Sequence, residues 1–250
     1  MLTVLTVIAA DPRHPHPHQG FLAKYERKAP SEYGLTNALR GVSRERLQQK
    51  AVCRMLLLPS GYKRCTAIRE VEAPADLVFA RIIDLPAYPR MINGITRCDV
   101  YQRGFVSPRV RSVCAHYRVR ELGVTLEAFM AHEFEVGRRC LTFSLDYSRR
   151  SDITDTVGYW YVERVDQNWS RLYYSIDSSM PAWLPPPLRD ALLNVAAKRA
   201  TGWVDAEVRR VMASRQRSSL AASSSRLLSQ MRELPPPFSL SRSQILESGN

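Results

Sequence analysis

The stretch Val71-Glu72-Ala73-Pro74-Ala75-Asp76-Leu77-Val78-Phe79 carries the chain from a strand into a helix. The strand is predicted over Gly61 to Val71. Proline fits the first position of a helix, where its missing N–H costs nothing, so Pro74 marks the helix start. Apolar residues at helical spacing continue the helix through Asp84. A second short helix or turn is predicted over Pro86 to Ile92.

Six strand-like segments follow this opening, and short breaks separate them. They are Ile95–Arg103, Arg109–Glu121, Val124–Val136, Arg138–Ser148, Thr154–Val165 and Trp169–Ser178. Alternation is clearest in the third segment, where Leu126, Met130, His132 and Phe134 share one face. Because short breaks join antiparallel neighbours, the six strands are predicted to form a meander.

A long amphipathic helix is predicted after the strands. It begins at Pro185-Pro186-Pro187 and runs to about Ala213, and its apolar stripe includes Leu192 and Trp203. At 1.5 Å per residue it would be about 40 Å long, enough to cover the concave face of a curved sheet. The predicted fold is therefore α+β: a curved seven-stranded antiparallel sheet wrapped on a long C-terminal helix, with two short helices after the first strand. A cavity between such a sheet and its helix would suit a ligand.

Residues 60–214 resemble the START-like (helix-grip) superfamily, in particular its polyketide cyclase/dehydrase and coenzyme Q-binding START-like branch. Besides the stretch from Val71 to Phe79, the segment Ile83-Asp84-Leu85-Pro86-Ala87-Tyr88-Pro89 is similar to the family's Asp-x-x-x-Tyr-Pro turn. The strand Gly158-Tyr159-Trp160-Tyr161-Val162 and the terminal helix are also similar. Quinone-binding members carry Pro-Trp-Cys after the tyrosine, whereas this chain has Arg90-Met91-Ile92-Asn93-Gly94. The resemblance implies a helix-grip fold that holds a hydrophobic ligand.

The net charge of +12 is unevenly distributed. Residues 1–59 carry +5, residues 60–214 carry +4 and residues 215–250 carry +3. A nucleic-acid-binding protein usually concentrates its basic residues on the folded module. Since two-thirds of the excess lies outside the predicted domain, no nucleic acid is expected as a partner. A basic module that binds nucleic acid or protein stays a third alternative.

Both flanks differ in composition from the middle of the chain. Residues 1–59 are predicted to be a basic N-terminal extension, either a targeting segment or partly disordered, with one short basic helix over Arg40 to Leu58. Residues 215–250 are predicted to be a disordered, Ser-rich tail, because they contain few large apolar groups. The protein is expected to be intracellular: mitochondrial or plastid if the N-terminus is a transit peptide, and otherwise cytoplasmic.

Motifs for metal, nucleotide and hydrolase chemistry do not occur in the sequence. It contains no G-x-S-x-G, H-E-x-x-H, P-loop or G-x-G-x-x-G pattern. The five cysteines are an odd number without a C-x-x-C pair, which is typical of reduced thiols packed as small apolar groups. No cofactor, metal site or disulfide framework is predicted, and the oligomeric state stays open.

The apolar strand faces and the terminal helix supply the candidate cavity residues. They are Val113, Tyr117, Leu126, Met130, His132, Phe134, Phe143, Trp160, Tyr173, Leu192 and Trp203. Trp183 and Leu184, which lie between prolines at the start of the helix, are candidates for a lid latch or a membrane contact. Plain core packing is the alternative role for any one of these residues.

Two functions fit this pattern, and the first is preferred. The protein would bind a lipid or isoprenoid quinone in the cavity as a carrier or chaperone, and movement of the helix over residues 185–213 would control exchange. Alternatively, it would be a polyketide cyclase/dehydrase-type enzyme in which His132 or Tyr117 moves a proton. His116, Asp152 and Asp155 are weaker acid/base candidates. His116 falls on the opposite strand face from Tyr117, and turn caps account for the two aspartates more simply.

Overall fold

The computed structural model describes residues 25–57, 63–181 and 183–232, and its centre is an eight-stranded antiparallel sheet. The strands are β1 Val52–Leu57, β2 Lys63–Val71, β3 Ile95–Ser107, β4 Val110–Glu121, β5 Val124–Glu135, β6 Cys140–Leu145, β7 Asp155–Arg164 and β8 Ser170–Ser179. Their order across the sheet is β1-β2-β8-β7-β6-β5-β4-β3. The predicted six-stranded meander is confirmed as β3 to β8, and β2 joins it by pairing with β8.

Helices flank the sheet. The α-helices are α1 Arg44–Gln49, α2 Ala75–Ile82, α3 Tyr88–Met91, α4 Pro186–Arg199 and α5 Gly202–Arg232, with 3-10 helices at Pro30–Tyr33, Leu35–Leu39 and Leu85–Ala87. Pro74 is the N-cap of α2, so the helix begins at Ala75, one residue later than predicted. Two short helices, α2 and α3, follow β2 as the sequence predicts. The fold is therefore the predicted α+β, helix-grip arrangement, with one more strand than expected.

The additional strand, β1, corrects the prediction of one helix over Arg40 to Leu58. Only Arg44–Gln49 is α-helical, and Ser43 caps it by accepting a hydrogen bond from the backbone N–H of Arg46. The next residues pair with β2, from Val52 opposite Ile68 to Leu57 opposite Lys63. This pairing satisfies backbone groups along an edge of β2 that would otherwise be open, which is why an apolar run without clear periodicity becomes a strand.

The closing helix also differs from the prediction, which placed one helix over residues 185–213. The chain breaks between α4 and α5 at Ala200–Thr201, just before Gly202. Thr and Gly are weak helix formers, and both Ala200 and Thr201 are buried, so packing on the core fixes the break. Helix α5 then continues to Arg232, so residues 215–232 of the predicted disordered tail are helical, whereas residues 233–250 lie outside the described residues.

Two apolar clusters occupy opposite faces of the sheet, because neighbouring residues of a strand alternate in direction. The main cluster packs α2 and the first turns of α5 on one face, through residues such as Phe79 and Val204. The second cluster joins Tyr25, Leu35 and Leu47 to the other face, where Tyr159 is fully buried.

Polar contacts reinforce the second face. The Tyr159 hydroxyl donates to the Lys28 carbonyl over 2.6 Å, and the Tyr25 and Ser175 hydroxyls lie 3.0 Å apart. Residues 25–57 are thus packed on the sheet, although the sequence assigned them to an extension. The domain limits at 59/60 and 214/215 stay predictions. By its contacts the chain divides into two units, Met1–Val208 and Arg209–Asn250, and the sheet lies in the first.

Candidate functional site

A cavity of about 320 Å³ lies between the sheet and the helices that follow it. Strands β4 to β8 form one wall, and α4, Ala200 and Trp203 form the opposite wall. Cys65 of β2 and Met55 of β1 extend the lining. The residues Asn93 to Ile95 and Glu121 mark the end of the sheet at which β4 turns into β5.

Eight of the predicted residues line this cavity: Tyr117, Leu126, Met130, His132, Phe143, Trp160, Leu192 and Trp203. Val113 and Phe134 are buried in the main cluster on the same face but do not line the cavity. Both lie toward the ends of β4 and β5 that are away from the β4–β5 turn. The structure therefore shows core packing as their role.

Tyr173 is a correction, because its side chain lies on the other face of the sheet. It belongs to the second apolar cluster, and its hydroxyl donates to Glu163 over 3.0 Å. The next residue, Tyr174, lines the cavity instead, with its ring centroid 4.3 Å from that of Trp160. Because Tyr173 and Tyr174 are adjacent, the sequence does not show which of them faces the cavity. In the structure Tyr174 is paired with Trp160, which lines the cavity, so Tyr174 faces it too.

Aromatic side chains form much of the cavity wall. The Tyr88 ring packs edge-on against Trp203 and Tyr117, with centroids 5.3 Å and 6.1 Å apart. Trp203 in turn lies 6.1 Å from Trp160. Tyr88 was not among the predicted cavity residues, although it belongs to the Asp-x-x-x-Tyr-Pro turn that the sequence singled out. Such a wall offers a ligand a large apolar contact surface with few charges.

His132 and Tyr117 are hydrogen-bonded to each other within the wall. The Tyr117 hydroxyl lies 3.1 Å from His132 Nε2, and His132 Nδ1 lies 3.1 Å from the Val113 carbonyl oxygen. Because a carbonyl only accepts, Nδ1 carries the proton and Nε2 accepts from Tyr117. Burial lowers the pKa of His132 to about 4, so its ring is neutral near pH 7. Both ring nitrogens are therefore occupied in the absence of a ligand.

Three tyrosines line the cavity, and they differ in their hydrogen bonds. Tyr88 donates to the Ile82 carbonyl over 2.6 Å, and Tyr117 donates to His132. The Tyr174 residue is only 8% exposed, yet its hydroxyl has no hydrogen-bond partner among the described residues. Burial raises the pKa of Tyr174 well above its ordinary value, so the hydroxyl stays protonated and can donate.

Charge is confined to one end of the cavity. Among its lining residues in the described part of the chain, only Glu121 and Arg199 are charged. They form an ion pair with 2.5 Å between Arg199 Nη1 and Glu121 Oε2, which joins α4 to the end of β4. The interior therefore favours uncharged groups, because an unpaired charge there would lose its hydration.

The two residues proposed as a latch or membrane contact have different environments. Leu184 is 1% exposed, which agrees with a latch or a packed connector and not with a membrane contact in this conformation. Trp183 is 63% exposed, and neither residue lines the cavity. A membrane role for Trp183 stays a prediction.

The weaker acid/base candidates have structural hydrogen bonds. His116 Nε2 lies 2.8 Å from Glu127 Oε2, and its ring stacks on Phe129 with centroids 4.3 Å apart. Asp152 accepts from the Glu127 backbone N–H, while Asp155 is fully buried and accepts from Tyr147. Within residues 25–57, 63–181 and 183–232, no cluster of three or more His, Cys, Asp or Glu side chains could hold a metal, and no helix is long and apolar enough to cross a membrane.

Comparison with known proteins shows the fold. No protein-family model matches the sequence, and no curated protein matches it. Among solved structures, the Zhui aromatase/cyclase from Streptomyces sp. R1128 matches with 17% identity and a TM-score of 0.51, covering 60% of this chain and 94% of that chain. A START superfamily protein from Mycobacterium smegmatis matches with 15% identity and a TM-score of 0.51, covering 60% of this chain and 99% of that chain.

These two similarities define a START-like, helix-grip fold, as the sequence predicts. At 15–17% identity they do not transfer a substrate or a reaction to this chain. The narrower resemblance to the coenzyme Q-binding branch stays a prediction.

Proposed function

We propose that the protein binds an uncharged hydrophobic small molecule in the cavity and acts as its carrier or chaperone. The observation that carries the proposal is an apolar, aromatic-lined cavity of about 320 Å³ in which the two charged residues that line it within the described part of the chain pair with each other at one end. Each 100 Å² of apolar ligand surface that leaves water contributes roughly 2.5 kcal/mol to binding. A water-insoluble molecule would therefore prefer the cavity to solvent.

The cavity volume limits the size of the ligand. A volume of about 320 Å³ lies near the lower end of the range, roughly 300 to 1,000 Å³, of pockets that bury drug-sized molecules. That size suits a short acyl or isoprenoid segment, a quinone ring or a compound of two or three rings. A diacyl phospholipid is several times larger.

Tyr174 would orient such a ligand. Its hydroxyl has no partner among the described residues, so an acceptor oxygen on the ligand would stabilise the complex by about 1 kcal/mol, or roughly fivefold in affinity. A carbonyl or ether oxygen satisfies this requirement, whereas a pure hydrocarbon does not. The expected ligand is thus an amphiphile with an uncharged polar group.

The second candidate is an enzyme of the polyketide cyclase type, which the Tyr117–His132 pair favours because it lies in the cavity wall. Such an enzyme would use the pair to move a proton during ring closure. However, both nitrogens of His132 are already occupied, and its lowered pKa makes it a poor proton donor near pH 7. The geometry therefore supports binding better than proton transfer.

The test is native mass spectrometry of the full chain purified from cells, followed by extraction and identification of any bound compound. Uptake of added quinones, single-chain lipids and polycyclic ketones would then be titrated. Leu126→Trp should block uptake by filling the cavity, whereas Leu122→Trp, at an exposed turn position of the same hairpin, should not. Tyr174→Phe should weaken binding about fivefold.

Two results would contradict the carrier function. A protein that is empty from cells and takes up none of the added compounds would overturn it. A protein that converts a polyketide-like substrate and loses most turnover in His132→Ala would support the enzyme instead. For a carrier, His132→Ala should leave affinity within a few fold.

A further inference from the structure

The turn between β3 and β4 carries exposed apolar side chains far from the cavity. Phe105 is 71% exposed and Val106 is 55% exposed. Val106 lies at a register shift between Phe105 and Ser107, which removes it from regular pairing with β4. Val136, in the β5–β6 turn at the same end of the sheet, is 51% exposed. Large side chains left in water together often mark an interaction surface.

Basic residues surround this apolar tip. The sequence from Arg103 to Arg111 contains three arginines and no acidic residue, and all three arginines are exposed. The register places Phe105 directly opposite Arg111, while Arg103 lies two residues away on the same face of β3. Phe105 therefore has one arginine as its neighbour along β3 and another as its neighbour across the two strands.

These arginines differ from Arg97 and Arg118, on the same strands, in having no acidic partner among the described residues. None of Arg103, Arg109 and Arg111 forms an ion pair with a described residue. In contrast, Arg97 pairs with Asp99 on β3, and Arg118 pairs with Glu127 across β4 and β5. The positive charge at the tip is thus available to an external anion.

We propose that the β3–β4 tip (residues 103–111) docks the protein on an anionic lipid bilayer. Phe105 and Val106 would enter the boundary between headgroups and acyl chains, and the three arginines would contact lipid phosphates. Exposed apolar side chains beside arginines that have no acidic partner among the described residues match the apolar interior and negative surface of such a bilayer. A nucleic-acid duplex would use the arginines but leave the apolar pair in water.

The position of the tip has a consequence for ligand exchange. Strand β4 runs from Val110 at the tip to Glu121 at the charged end of the cavity, about 35 to 40 Å at the usual rise per residue. A protein docked through this tip would keep that end of the cavity away from the bilayer. The proposal therefore does not depend on what the cavity binds, and it differs from docking through Trp183.

The experiment is flotation of the full chain with vesicles of phosphatidylcholine, with and without phosphatidylglycerol. We expect binding only to the anionic vesicles and weakening by salt, because salt screens exposed charges. Each arginine near the surface is worth roughly fivefold in affinity, so Arg103, Arg109 and Arg111 changed together to Gln should weaken binding about 100-fold. Changing Phe105 and Val106 to Ser should weaken it at least tenfold.

Matched variants show whether the tip is responsible. Arg120→Gln removes an exposed arginine at the other end of β4, and Trp183→Ser removes the exposed tryptophan; both should retain vesicle binding. All variants lie at exposed positions, so their melting temperatures should match the parent. The proposal is overturned if no vesicle binds, if only Trp183→Ser loses binding, or if the tip variants instead lose self-association or affinity for nucleic acid. Ligand uptake, measured in parallel, should be the same in every variant.

Discussion

Gly158 and Phe143 form a close contact in the floor of the cavity. They lie directly opposite each other in β7 and β6, and a Cβ atom added to Gly158 would lie only 1.9 Å from Phe143 Cζ. The far end of the Phe143 ring thus lies over the glycine, and the ring centroid is 6.5 Å from that of Tyr174. Glycine at this position allows the ring to line the cavity in its observed rotamer.

Gly158→Ala should therefore displace the Phe143 ring and destabilise the protein. Forcing an extra carbon into a packed site costs about 1 to 3 kcal/mol. In a Phe143→Ala background the clash disappears, and alanine in a strand should instead be about 0.5 kcal/mol better than glycine. A double-mutant cycle should then give a coupling free energy of about 1.5 to 3.5 kcal/mol between the two sites.

The measurement is equilibrium urea unfolding of the parent, the two single variants and the double variant, followed by tryptophan fluorescence and far-UV circular dichroism. Ligand uptake should also change in Gly158→Ala, because Phe143 lines the cavity and its ring would move. Equal costs of Gly158→Ala in both backgrounds would refute the reasoning, since the ring would then not depend on the glycine. As a control, the four proteins should have the same m-value, which shows that urea unfolds the same structure in each.

Three other predictions concern buried groups. His132 has a pKa of about 4 in the folded protein against an ordinary value of 6.5, so between these pH values the unfolded chain takes up a proton more readily than the folded one. The free energy of unfolding should therefore fall by about 3 kcal/mol as pH drops from 6.5 to 4. Urea titrations at several pH values should show this loss in the parent and not in His132→Gln. Leu47→Ala should lower the free energy of unfolding in urea by about 2 to 4 kcal/mol, because Leu47 is 2% exposed in the second apolar cluster. Leu122→Ala, at an exposed position, should lower it by less than about 0.5 kcal/mol. Equal losses would mean that residues 25–57 do not pack on the sheet. Arg64→Met should lower the free energy of unfolding by about 3 to 5 kcal/mol, because it leaves the buried carboxylate of Asp177 without its partner. Adding Asp177→Asn should restore part of this loss. A double variant no more stable than Arg64→Met would contradict the pairing.

Local patterns in the sequence were sufficient for most elements of the fold. β5 was predicted over Val124–Val136 and is observed at Val124–Glu135, because strict alternation needs only that one face be buried. Pro74 and the Asp-x-x-x-Tyr-Pro turn likewise placed the two short helices before the meander. Eight of the eleven cavity candidates line the cavity, since the same alternation assigns residues to a face.

Features that depend on distant partners were not predictable from these patterns. The run Val52–Leu57 becomes a strand only because β2 presents an open edge to it. Tyr174 rather than Tyr173 faces the cavity because β8 is aligned with β7 through the Trp160–Tyr174 pair. Periodicity along one segment contains no information about which backbone will lie beside it. Pairing across the sheet supplies that information, and with it the cavity, the unpartnered tyrosine and the close approach of Phe143 to Gly158.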